Sequence, residues 1–265
     1  MLRRKGGRIA GSLAAAGLAA AAVFAACSSD RIGAGSKPTT EYGANVAVGN
    51  GTARSYQVMQ NGVPTEIGIE LTQGVMDSLP TAPKMGGYEY SLPLPAGNKT
   101  QYQVIGLNWN PTGHPPPNVY TVPHFDFHFY MVSQAERGAI DPATDTAFAT
   151  QAANLPTSAF SLPGYVNDPP ANAVPHMGLH WTDSNAPEFH GQPFTRTFII
   201  GSWNGQFIFD EPMITRAYLL THPTDSVPVA TAAQRAISGY YPTAYRVRWD
   251  AAASVWHVAL SGLKN

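Results

Sequence analysis

The chain has 265 residues and a formal net charge of -1, from 16 Lys and Arg against 17 Asp and Glu. That balance excludes a nucleic-acid binder that works by neutralising phosphates with a basic surface. With 44% hydrophobic, 11% aromatic and only 12% charged residues the chain is too apolar to be disordered throughout, and its 25 Gly and 23 Pro point to many turns and few long helices.

Met1–Ala26 reads as an export signal. Arg3, Arg4, Lys5 and Arg8 make a basic start, and Ala10–Ala22 is an Ala/Leu-rich stretch short of the roughly 20 strongly apolar residues of a membrane span. Phe24-Ala25-Ala26 then leads into Cys27, the single cysteine. This run resembles the bacterial lipobox, with Phe24 where Leu is usual. The resemblance implies cleavage before Cys27 and lipidation of its thiol. Ser28 and Ser29, with no Asp immediately after the cysteine, resemble the pattern of an outer-membrane destination. The expected protein is therefore exported and anchored by lipid in the cell envelope, at the outer membrane or cell surface. One cysteine rules out a disulfide framework within the chain.

Residues 27–50 are rich in Gly, Ser, Thr and Ala, show no apolar period and are expected to form a flexible tether. A single β-rich domain is expected over 51–265. Ala53–Gln60 and Thr65–Leu71 flank Asn61-Gly62, a hairpin signal because both turn residues tolerate positive φ. Leu71–Leu79 is a candidate short helix. Thr100–Trp109 and His124–Val132 read as strands. Phe194–Ser202 and Gln206–Asp210 form a second hairpin around Asn204-Gly205, with Met213–Leu220 continuing it. Tyr245–Trp249 and Val255–Leu260 close the chain as a third. The remaining helix candidates are short: Ser133–Gly138, Asp145–Asn154 and Thr231–Ser238. This succession predicts a mainly β fold, an antiparallel barrel or sandwich with a few short helices.

The chemistry concentrates in histidines. In His124-Phe125-Asp126-Phe127-His128-Phe129-Tyr130 the residues alternate strictly. On a strand, His124, Asp126, His128 and Tyr130 share one face and the phenylalanines the other. A second run, His176-Met177-Gly178-Leu179-His180, repeats the pattern, with Gly178 leaving room on the histidine face. Imidazole and carboxylate together are the usual ligands of Zn, Mn, Fe or Cu. The expected metal ligands are His124, His128, His180 and Glu211, with His114, Asp126, Tyr130 and His176 lining the cleft or orienting them. Residues four apart on a straight strand lie about 13 Å from each other, so His124 and His128 share one ion only if the strand bends. If the site is catalytic, a metal-bound water or O2 with Glu211 or Asp126 as base is the expected chemistry. The five tryptophans are read as core rather than sugar platforms.

Trp109-Asn110-Pro111, Gly113-His114, the His124–Tyr130 run, Met177-Gly178-Leu179-His180-Trp181 and Phe209-Asp210-Glu211-Pro212-Met213 together resemble a family of bacterial exported proteins and lipoproteins of unknown function with a structurally known Thermus member. The resemblance extends over Gly51–Leu263 and implies an envelope location and a homo-oligomer. It assigns no activity. The expected function is a lipid-anchored envelope protein with a transition-metal cleft and a small-molecule ligand of unspecified kind. The alternative is a non-catalytic binding or assembly protein whose histidines are structural.

Overall fold

The computed structural model describes residues 36–265. The expected signal segment, Cys27 and the start of the expected tether lie outside the described residues. The strands are, in chain order, β1 (Thr39–Tyr42), β2 (Val46–Val48), β3 (Gly51–Gln60), β4 (Val63–Thr72), β5 (Tyr88–Leu92), β6 (Val104–Asn110), β7 (His124–Tyr130), β8 (Tyr165–Val166), β9 (Ala173–Val174), β10 (Gly178–Asp183), β11 (Arg196–Trp203), β12 (Gln206–Thr215), β13 (Thr224–Pro228), β14 (Ala244–Asp250) and β15 (Val255–Ser261). Three short helices accompany them: α1 (Gln134–Ala139), α2 (Phe148–Ala153) and α3 (Arg216–Leu219).

Turn chemistry sets the hairpins. Asn61 and Gly62 have φ of 52° and 80°, and Asn204 and Gly205 45° and 86°. Two left-handed residues in a row give the turn twist that matches the strands it joins. Gln60 accordingly pairs with Val63, and Trp203 with Gln206. Between β14 and β15, the Asp250 carboxylate accepts the backbone N–H groups of Ala252 and Ala253.

Two antiparallel sheets result. The first runs β1-β3-β4-β15-β14-β13, with β2 also on β3; the second runs β5-β6-β7-β12-β11-β10-β8, with β9 also on β10. Ile67, Ile69, Val258 and Leu260 of the first sheet share one buried core with Ile105, Phe125, Phe127 and Phe129 of the second. The architecture is a sandwich; neither sheet closes on itself, so the barrel alternative falls away.

The second sheet is covered on both faces. Its outer face, opposite the sandwich core, carries Val104, Tyr130, Ile199, Phe209 and Met213, which pack under Tyr120, Ile140, Met177 and Phe194 from the connecting segments. Every residue of β6 and β7 is consequently buried. The polar face of β7 lies inside the molecule, under this cover.

Some expectations change. Part of the expected tether is structured: Thr39–Tyr42 and Val46–Val48 pair with β3, because an extended edge needs only backbone hydrogen bonds and a few apolar anchors such as Val48. Thr231–Ser238 forms no helix, and Met213–Leu220 divides into the end of β12 and α3, with the Thr215 hydroxyl capping Tyr218 N–H. Leu71–Leu79 contributes only a 3-10 turn at Gln73–Met76. Among the described residues no helix is long and apolar enough to cross a membrane.

Candidate metal centre

β7 presents His124, Asp126 and His128 to the covered outer face, and its neighbours bring their partners by register. On β6, Asn110 pairs opposite His124 and Asn108 opposite Asp126. On β12, pairing is recorded on either side of Glu211-Pro212; the continued register puts Glu211 opposite His128. Pro212 has no N–H to give, so the ladder opens there in the middle of a sheet. From β10, His180 pairs with Gly201, itself opposite Phe209.

Two groups form. His128, His180 and Glu211 offer ligand atoms within 4.8 Å of one another, and so do His114, His124 and Asp126. His128 Nε2 lies 3.4 Å and His180 Nε2 3.7 Å from the same oxygen, Glu211 Oε2. In the other group His124 Nε2 is 3.1 Å from Asp126 Oδ1 and His114 Nε2 is 3.8 Å from Oδ2. The four expected ligands therefore do not share one centre. His124 leaves His128, His180 and Glu211 for a group of its own, because β7 stays straight and spacing along it keeps the two histidines apart. Asp126 and His114, expected only to line the cleft, stand as ligand candidates beside it.

Backbone carbonyls fix three of the four rings. His114 Nδ1 lies 2.7 Å from Pro115 O, His124 Nδ1 2.7 Å from Val122 O, and His180 Nδ1 3.2 Å from Asn172 O and Gly178 O. An Nδ1–H donated to a carbonyl leaves the Nε2 lone pair free, the usual arrangement of a metal-binding histidine. That lone pair then faces a carboxylate oxygen, acceptor against acceptor, an arrangement that calls for a proton or a cation between them. Both ring nitrogens of His128, Glu211 Oε2, His124 Nε2 and Asp126 Oδ1 are buried with no hydrogen-bond partner among the described residues. Orphaned buried polar atoms cost about 1–3 kcal/mol each, and most of those among the described residues gather on this one face.

The electrostatics differ between the groups. Burial holds the His128 imidazole well below the usual histidine range, and it pulls His180 down to about 4, with the positive charge of His114 adding to it. Burial raises the Glu211 carboxyl well above its ordinary value, reinforced by the negative charge of Asp126. In the group of His128, His180 and Glu211 burial thus favours the uncharged form of all three side chains. At Asp126 burial also pushes upward, but the His124 and His114 rings outweigh it and hold the carboxyl well below its usual range. Burial pulls His114 down, and its contact with Asp126 more than reverses that.

Residues around the ligands complete the site. Asn110 Nδ2 donates to Asp126 Oδ2 at 2.7 Å. Tyr130 stacks on His128, ring centroids 5.1 Å apart and 2° from parallel, and the Arg137 guanidinium lies 3.9 Å over Tyr130. Arg137 is itself buried and bonded through both terminal nitrogens to Glu89. The Phe209 ring packs against both His128 and His180. Tyr130 thus sits where the alternation places it. Asn110, Arg137 and Phe209 carry no role in the sequence reading; the period-two Asn108-Trp109-Asn110, facing Asp126 and His124, is the signal that marks the first of them.

Two expectations fail here. His176 is exposed and turned away in a left-handed turn, φ 63°, where it serves through its backbone: its carbonyl accepts Arg137 Nε–H. β10 begins after it, so the alternation does not extend that far. Gly178 makes no room for a ligand. A Cβ there would meet Ser202 O at 2.8 Å, and its φ of 107° already requires glycine.

A cavity of about 490 Å³ opens onto both groups, touching His114 and Asp126 of one and His180 and Glu211 of the other. Its remaining wall is mainly apolar, including Met85, Val174, Met177 and Ile199, with Lys84 in the segment Pro83–Gly86.

A family model described as TTHB210-like, hypothetical protein TTHB210, matches residues 60–109. That segment covers β4, β5 and most of β6, and stops short of the histidine run. It agrees with the expected family of unknown function but spans far less than Gly51–Leu263. No curated protein and no solved structure matches the chain.

Proposed function

We propose that this is a lipid-anchored cell-envelope protein that binds a divalent transition metal through His128, His180 and Glu211. The observation that carries the metal reading is the convergence of two imidazole Nε2 atoms on one buried, unpartnered carboxylate oxygen. A structural histidine is expected to have its ring nitrogens hydrogen-bonded; both nitrogens of His128 lack such a partner among the described residues. Two nitrogens and one oxygen suit a borderline ion such as Zn²⁺, with Mn, Fe and Cu as competitors. Three protein ligands leave a coordination position for water or a ligand. The anchor and the location rest on the basic n-region, the Ala-rich stretch and Cys27 after Ala25-Ala26.

Elemental analysis of protein purified without a His tag tests the metal. Bound metal is expected at one equivalent or more per chain, with one equivalent lost in both His128→Ala and His180→Ala. Trace metal unchanged in either variant would sink the reading.

A further inference from the structure

The second group has its own geometry and opens into the same cavity. His114, His124 and Asp126 hold their ligand atoms as close together as the first group does. Two of them, His124 and Asp126, are almost wholly buried, each with an unpartnered atom among the described residues. Both groups offer three ligand atoms, so an ion in each keeps an open position, and the shared cavity is where those positions meet.

Charge says what the cavity would then hold. Two divalent ions against the carboxylates of Asp126 and Glu211 leave two positive charges uncompensated in a largely buried space. The other charged side chain on the cavity wall is Lys84, also a cation, with its Nζ 5.1 Å from the Tyr88 ring centroid and no ion pair among the described residues. Uncompensated buried charge is strongly unfavourable, so an anion must enter with the metals. Spacing narrows its kind. Asp126 and His128 are two residues apart on β7, about 6–7 Å along a strand. A single bridging oxygen with metal–oxygen bonds near 2 Å spans only about 4 Å. An oxyanion reaches further, because it places a different oxygen on each ion. The apolar wall and the volume of about 490 Å³ leave room for a hydrophobic group attached to it.

We infer that the cavity is a two-ion chamber for a phosphate monoester, with the phosphoryl oxygens between the ions, Lys84 at the phosphate and the ester group against Met85, Val174 and Met177. The inference rests on the metal reading above and extends it to a second ion and a ligand class.

The test is calorimetry with phenyl phosphate on the Zn²⁺-loaded protein after metal stoichiometry is measured. Two ions per chain are expected. Phenyl phosphate should bind the loaded protein, fail to bind after chelation, and bind more tightly than inorganic phosphate; benzyl alcohol, which has no charge, should not bind. Lys84→Ala, on the exposed rim, should keep both ions and weaken phenyl phosphate by about tenfold, the worth of one charge-assisted contact. His114→Ala, in a loop where folding is least at risk, should keep one ion and lose phosphate binding. One ion per chain, or two ions with no phosphate binding, overturns the two-ion chamber and leaves the single metal site standing. No bound ion overturns both. Tighter binding of malonate than of phenyl phosphate would replace the ester by a dicarboxylate and overturn the assigned class.

Discussion

A side chain at Gly201 would collide with the ring of its cross-strand partner Phe209, the ring that packs against His128 and His180. Gly201→Ala must therefore displace Phe209, and overpacking of this kind costs about 1–3 kcal/mol. Urea denaturation should show that loss, and metal titration should show weaker binding, because the displaced ring sits against two ligands. A variant that is destabilised yet binds metal as wild type does would show that Phe209 has no positioning role. His257, on the outer face of the first sheet, gives a separate prediction. Burial lowers its pKa to about 4, helped by Arg248 and Arg54 and opposed by Asp250; Glu70 lies 3.9 Å away. A depressed histidine pKa means that the unfolded chain takes up a proton first as pH falls. The stability it contributes is complete above about pH 6.5 and is lost progressively toward pH 4. His257→Phe keeps a ring against Tyr56 and removes the titration. Its unfolding free energy should fall less steeply from pH 6.5 to 4 than that of wild type; parallel curves would refute the assignment.

Short elements act here through what they hold. α1 has six residues, too few to persist alone. It carries Arg137, which covers Tyr130, which stacks on His128. Its start is a capping box: Ser133 Oγ accepts Glu136 N–H, and the Glu136 carboxylate accepts Ser133 N–H. Ser133→Ala should cost about 1 kcal/mol by chemical denaturation. It should also raise hydrogen exchange at Arg137 and His176, whose backbone N–H bonds to Ile140 O; protection unchanged there would mean that α1 is held by packing alone. The hairpins around Asn61-Gly62 and Asn204-Gly205 were legible because their turns have local chemistry. β13, with exposed residues alternating along Thr224–Pro228, and the exposed β1 carry no such signal; pairing with β14 and β3 creates them.

For the whole molecule, the sandwich and the proposed anchor are separable. Cys27 lies outside the described residues, and it is the single cysteine, so no disulfide within the chain depends on it. Wild type is expected in the membrane fraction, extracted by detergent, with a lipid-modified Cys27 as its first residue by mass spectrometry. Cys27→Ser should lose the lipid and leave a precursor or a soluble product with an unchanged melting curve. A mature wild-type terminus without lipid would make this an ordinary secreted protein. More than one acyl chain is needed for lasting membrane residence, since a single chain binds only marginally.

The sequence by itself determined what depends on neighbours along the chain. Strict alternation over His124–Tyr130 fixed which residues share a face, and Asn-Gly pairs fixed the two sharpest turns. The rise per residue set the limit that separates His124 from His128. Only the tertiary structure decided the grouping of ligands, because it depends on which strand lies beside β7. Glu211 meets His128 through the β12 register, His180 reaches the same oxygen from β10 two strands away, and His114 arrives from a loop. The fate of His176 and Gly178 was decided there too: alternation continues in the sequence past the start of β10 at Gly178, and the Ser202 carbonyl fills the space beside that glycine. Burial also comes from the third dimension. The segments that pack over the second sheet take the polar face of β7 out of water, and that desolvation lowers the proton affinity of His128 and raises that of Glu211 opposite it on β12.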